Sequence, residues 1–181
     1  MLRAIDTDLW VAEQPLKYFG LEVGTRMTVI RLINGKLMVI SPIYTQEKII
    51  HQLNQLGKVS YIVAPNLYHH LFVSQFKQVY PDAEVWATSG LEHKLHDLQI
   101  DRFLSERITE FFDGIEATLV TGFNTLDVTG YAPLNEWVFF HSKSRTLILT
   151  DLAFYFHGNI LEGDAKKQLQ LGYEWFLGKS L

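Results

Sequence analysis

Between residues 26 and 41 apolar and β-branched positions fill two short runs, RMTVIRLI and KLMVIS, separated by Asn34-Gly35. Asn-Gly tolerates the positive φ values of a tight turn, so the pattern predicts a hairpin with strands near 26–33 and 36–41. Ser41-Pro42 closes the second strand. The spacing then turns helical: Ile49, Ile50, Leu53 and Leu56 share one face, Thr45 is the expected cap and Gly57 the stop. His51 rotates off that face and reads as a solvated side chain. Lys58 to Ala64 is a continuous buried strand, broken by Pro65-Asn66. A helix is predicted from about Leu67 to Tyr80, capped by Asn66, with Tyr68, Leu71, Phe72, Phe76 and Val79 on its apolar face.

Beyond Pro81-Asp82 a short strand is expected over Glu84–Ala87. Ser89 and Glu92 have the spacing of a capping box for a helix carrying Leu91, Leu95 and Leu98 on one side. His93 and His96 lie off that side and read as surface residues. From Ile115 the period returns to two, predicting strands at 116–120, 125–128, 135–141 and 145–150, with SKSR as the last turn and His141 at the surface. The aromatic run Phe154, Tyr155, Phe156, a Gly158-Asn159 turn and a helix over about 163–176 close the chain. Residues 1–18 read as a short strand or two ended by Pro15. Strands, helices, then strands again suit a layered α/β sandwich better than a doubly wound sheet.

A chain of 181 residues supports one substantial core, so a single domain over 1–181 is the expectation. With 48% hydrophobic and 13% aromatic residues, that core is aromatic-rich and leaves scope for an aromatic patch between copies in a homo-oligomer. The net charge of -4 carries no basic footprint for nucleic acid or an anionic membrane. No stretch approaches the roughly 18 apolar residues of a membrane span, and acidic residues interrupt the N-terminus, so a soluble cytoplasmic protein is expected. There is no cysteine, which removes thiolate metal sites and a cysteine nucleophile together. Any metal must be held by His, Asp or Glu.

Chemistry concentrates in VSYIVAPNLYHHLFVSQF, residues 59–76, where a buried strand gives way to a helical pattern at two adjacent histidines. The carboxyl end of such a strand is where α/β proteins gather side chains around a ligand. His69 and His70 diverge by about 100° on a regular helix, so both face one ion only if the first turn is irregular. A helix start disfavours their protonation and suits neutral imidazole ligands. Asp151 ends the strand TLILTD, and Glu136 sits amid the apolar run of the preceding strand.

The order of elements resembles the metallo-β-lactamase superfamily of αββα metallo-hydrolases over about residues 20–155. RMTVIRLINGKLMVISPI resembles its early hairpin, VSYIVAPNLYHHLF its His-x-His-x-Asp-His region, YPDAEVWA its next strand, and GYAPLNEWVFFHSKSRTLILTDLAF its late hairpin. The resemblance implies a compact four-layer αββα sandwich and one or two divalent ions that generate hydroxide. Aligned on the last histidine, Pro65 and Leu67 stand where two His ligands belong, His69 replaces the Asp, and His70 matches the final His. Ser41 stands at the position of the hairpin's terminal Asp, Tyr131 lies near the next His, and Asp151 matches the bridging Asp. His157 is a remote substitute for the family's last His. The implied site is therefore at most mononuclear: His70, Asp151 and His69 around one zinc or other divalent ion, with Asn66, Tyr131 and Glu136 lining the cleft. Two functions follow from the resemblance. One is a metal-dependent hydrolase of an ester, amide or phosphoester; the other is a catalytically silent module that binds a small molecule or protein in the old cleft.

Overall fold

The computed structural model describes residues 1–18, 21–104, 111–112, 114–127 and 130–152. Its twelve described strands are β1 (Arg3–Asp6), β2 (Leu9–Gln14), β3 (Lys17–Tyr18), β4 (Leu21–Glu22), β5 (Thr25–Arg31), β6 (Leu37–Ile40), β7 (Val59–Ala64), β8 (Glu84–Thr88), β9 (Arg102–Leu104), β10 (Ile115–Asp127), β11 (Gly130–His141) and β12 (Thr146–Ile148). Two described helices, α1 (Glu47–Leu56) and α2 (Val73–Val79), follow β6 and β7.

β5 and β6 form the expected antiparallel hairpin, with Val29 opposite Val39. Its turn fits the Asn-Gly chemistry: Gly35 takes φ 78°, and Asn34 Oδ1 accepts the Lys36 N–H at 3.0 Å. The hairpin sits inside a seven-stranded sheet of order β1-β2-β5-β6-β7-β8-β9. β6, β7, β8 and β9 run parallel, the first two connections passing through α1 and α2, and β1, β2, β5 and β6 run antiparallel. A second sheet, β10-β11-β12, is wholly antiparallel.

Because strand side chains alternate, each inner strand feeds two cores. Met27, Val29, Leu37, Val39, Ile62, Ala64, Val85 and Ala87 pack with Ile49 and Leu53 of α1 and Val73 and Phe76 of α2. Their neighbours Ile30, Met38, Ile40, Val63 and Trp86 pack on the opposite face against Ile115, Ala117, Trp137, Phe139 and Ile148 of the second sheet. Helices, sheet and sheet thus form three successive layers. The expected closing helix over 163–176, the aromatic run at 154–156 and His157 lie outside the described residues.

Several local expectations are corrected. Thr45 does not cap α1: its Oγ1 donates to the Ile43 carbonyl at 3.1 Å, and Gln46 occupies the cap position without a side-chain bond. The helix expected from Leu67 begins only at Val73, and Phe72 precedes it. The supposed capping-box helix is one 3₁₀ turn, Leu91–His93, where Glu92 Oε2 instead accepts the Gly90 N–H at 2.9 Å. The strands expected at 116–120 and 125–128 are one strand, β10, whose register shifts between Val120 and Phe123 beside Gly122 at φ 90°; this is the geometry of a bulge. His141 is buried rather than at the surface, its Nδ1 bonded to Ser144 Oγ at 2.7 Å. Trp86, Phe111 and Phe112 interlock with Tyr61 under this second sheet, which accounts for part of the aromatic-rich composition.

Candidate functional site

β6 and β7 are parallel neighbours, Ile40 beside Val63, so their carboxyl ends deliver Ser41 and Asn66 to the same edge of the sheet. Ser41 N–H donates to the Val63 carbonyl at 2.9 Å, which holds the serine at the mouth of that edge. It adopts φ 54°, an uncommon conformation for a residue with a side chain. The second sheet reaches the same point. Trp137 N–H donates to the Pro65 carbonyl at 2.9 Å, which brings Glu136 and the segment after β12 over the turn that follows Ala64.

Asn66, fully buried, is the hub. Its Oδ1 accepts the N–H groups of Tyr68 and His69 at 2.8 and 2.9 Å, the role of a helix cap played in a turn that does not yet continue as helix. Those two bonds fix the amide's orientation and aim Nδ2 at Asp151 Oδ2 (2.7 Å), Thr150 Oγ1 (3.1 Å) and Glu136 Oε2 (3.2 Å). Glu136, also fully buried, accepts the Thr150 N–H on Oε1 at 2.7 Å and the Asp151 N–H on Oε2 at 2.6 Å. The buried carboxylate is thereby satisfied by N–H donors, and it fixes the backbone on which Asp151 is mounted.

His69 lies between Ser41 and Asp151. Its Nε2 is 3.1 Å from Asp151 Oδ1, and its Nδ1 bonds Ser41 Oγ. An ionised carboxylate only accepts, so Nε2 carries the ring proton and Nδ1 is the acceptor for the serine hydroxyl. The imidazole and the carboxylate remain partly open, their side chains 16% and 18% exposed.

His70 stands apart from this line. Its Nδ1 is buried without a hydrogen-bond partner. Burial, aided by the nearby Lys94 ammonium, lowers its pKa and favours the neutral ring. Lys94 lies 4.6 Å over the Tyr68 ring and donates to the Leu67 carbonyl at 3.1 Å. Of the residues singled out from sequence, the structure therefore gathers His69, Asp151, Asn66 and Glu136. Tyr131 is described only as backbone, opposite Leu126. The residue that sequence reasoning passed over is Ser41, noted only as the stand-in for an Asp.

The donor set can be tested against the ion that the resemblance implies. A catalytic zinc takes three protein ligands and keeps a fourth position open. Among the described residues no three His, Asp or Glu side chains gather closely enough to hold an ion. The Asn66 amide points its N–H bonds at both carboxylates, the place where a cation would need lone pairs. The described residues do not fit the ion, and the contacts between them are those of a hydrogen-bonded cluster.

Solved structures share this architecture. The chain is similar to a metallo-β-lactamase from Pontibacter korlensis, at 13% identity and TM-score 0.60, over 97% of this chain and 87% of that one. It is similar to the DIM-1 metallo-β-lactamase, at 15% identity and TM-score 0.62, over 81% of this chain and 67% of that one. It is also similar to VMB-1, at 11% identity and TM-score 0.59, over 98% of this chain and 84% of that one. At such identities the likeness shows the fold, a metallo-β-lactamase-type α/β sandwich, and leaves chemistry to the site. None of the curated proteins matches the sequence. The family described as a domain of unknown function, DUF4336, matches residues 6–162, and with that span covered the chain belongs to the DUF4336 family.

Proposed function

We propose that this chain is a small-molecule hydrolase built on the metallo-hydrolase fold, working through a histidine–carboxylate proton-transfer pair in place of an ion. One observation carries the reading: His69 Nε2 meets Asp151 Oδ1 at 3.1 Å, while Nδ1 faces a hydroxyl. That is the arrangement in which a carboxylate fixes the tautomer of a general base and stabilises the imidazolium formed when the base takes a proton. Asn66 and Glu136 are positioning residues, since they hold Asp151 from its side chain and its backbone. The fold supports a hydrolase, and the donor set favours one that does not route its chemistry through zinc.

Hydrolysis of p-nitrophenyl acetate by chelator-treated protein tests this directly. Activity that survives EDTA and falls by about 100-fold or more in His69→Gln is the expected result, in line with the usual contribution of a general base. Activity that appears only with added zinc and is lost in His70→Ala and Asp151→Ala would restore the mononuclear reading with His70, His69 and Asp151 as ligands. Absence of turnover under both conditions would favour the silent binding module.

A further inference from the structure

Resting on that reading, we infer that Ser41 is a covalent nucleophile, so that the site carries out acyl transfer through an acyl-serine on small esters or thioesters. Three independent features point to it. The Ser41 hydroxyl is the partner of the base nitrogen of His69, so the proton that His69 is placed to remove belongs to this side chain. Ser41 sits at the carboxyl end of β6 with φ 54°, a strained strand exit that turns its side chain out of the sheet toward His69. The chain on both sides is held, by the Ser41 N–H bond to Val63 and by the fixed ring of Pro42.

The step balances without any added reagent. Ser41 Oγ attacks the ester carbonyl carbon as its proton moves to His69 Nδ1, and the Oγ–C bond forms. The C–O bond to the leaving alcohol breaks, and the proton on Nδ1 passes to the departing oxygen. Water then attacks the acyl carbon and gives its proton to Nδ1. That proton returns to Ser41 Oγ as the carboxylic acid leaves. Asp151 holds the imidazole throughout and never needs to be protonated.

Two features define the substrate. Ser41 is only 2% exposed, so the acyl group that reaches it is short. Pro42 follows the nucleophile and has no N–H, so the residue after the serine offers no donor to a developing oxyanion. Good leaving groups are therefore required: aryl esters and thioesters rather than amides.

The test is covalent labelling of the full chain with methanesulfonyl fluoride, whose transferred group is as small as an acetyl, read by intact mass and peptide mapping, alongside the p-nitrophenyl acetate assay. A single adduct on Ser41, lost in Ser41→Ala and slowed at least tenfold in His69→Gln, supports the inference. Ser41→Gly serves as a second variant, because glycine accepts the positive φ and keeps the strand exit unstrained. Hydrolysis that persists in folded Ser41→Gly, or an adduct confined to another residue, overturns Ser41 as nucleophile while leaving the His69–Asp151 pair in place. Wild-type protein that neither hydrolyses the ester nor takes the label overturns both.

Discussion

Asn66 donates its side-chain amide to Asp151 at 2.7 Å across 85 positions of sequence. That bond ties the end of β7 in the large sheet to the end of β12 in the small one, and the site exists because of it. The same amide takes up Glu136 and Thr150, so one side chain hydrogen-bonds two carboxylates from the second sheet.

Replacing this hub should change what the site holds. Asn66→Asp keeps an acceptor for Tyr68 and His69 but places a third carboxylate between Glu136 and Asp151, and like charges at that range repel. The variant is expected to melt earlier than wild type in EDTA and to regain stability with added zinc or calcium, while wild type shows no ion-dependent shift. Thermal unfolding with and without the ions measures this.

Glu136→Gln should show how Asp151 is mounted. The substitution puts an NH₂ where a carboxylate oxygen now accepts a backbone N–H at 2.6 or 2.7 Å, leaving a buried donor facing a donor. A loss of about 1–3 kcal/mol is expected in urea unfolding, together with reduced hydrolysis, because Asp151 is no longer fixed.

Much of the fold is legible along the chain. Asn34-Gly35 marks the hairpin because Gly35 takes its positive φ without strain and the Asn34 side chain accepts the Lys36 N–H, and the near-continuous apolar runs of β5, β6, β7 and β8 are what two apolar faces demand. Glu136 within the run Trp137, Val138, Phe139 is legible only as a candidate for the cleft lining; that it is fully buried and accepts two N–H groups follows from the segment after β12 folding against it. The start of α2 is not legible, because Asn66 satisfies the N–H groups of Tyr68 and His69 in a turn that delays the helix to Val73. Ser41 is hidden for another reason: its φ and its partner His69 are set by the meeting of β6 and β7, which no local pattern encodes. His141 is misread because a polar residue near a strand end is commonly exposed, whereas here Ser144 gives it a buried partner.

Gly57 offers a structural control away from the site. A Cβ there would run into the Gly35 carbonyl, where the end of α1 passes close over the hairpin turn. Gly57→Ala is expected to cost about 1–3 kcal/mol through overpacking, measured by urea unfolding, with the hydrolytic rate per folded molecule unchanged.

Acid should weaken the protein in two steps. Burial lowers the His141 pKa below its ordinary 6.5, so as pH falls through 6.5 the unfolded chain takes the proton first. Stability is full above that value and declines until the lower folded pKa is reached. Asp8, bonded to Lys143 and Arg31, is held below its ordinary 3.8. Its contribution is present above 3.8 and is lost as pH falls through the depressed folded value. Urea midpoints from pH 8 to 3 should show both declines. His141→Gln should flatten the first and Asp8→Asn the second.

Elemental analysis of protein purified without chelators, then dialysed against one equivalent of zinc, bears most directly on the replacement of an ion by a hydrogen-bonded cluster. The expected result is substoichiometric metal, unchanged between wild type and Asp151→Ala. One tightly held zinc per chain, released by Asp151→Ala, would contradict it.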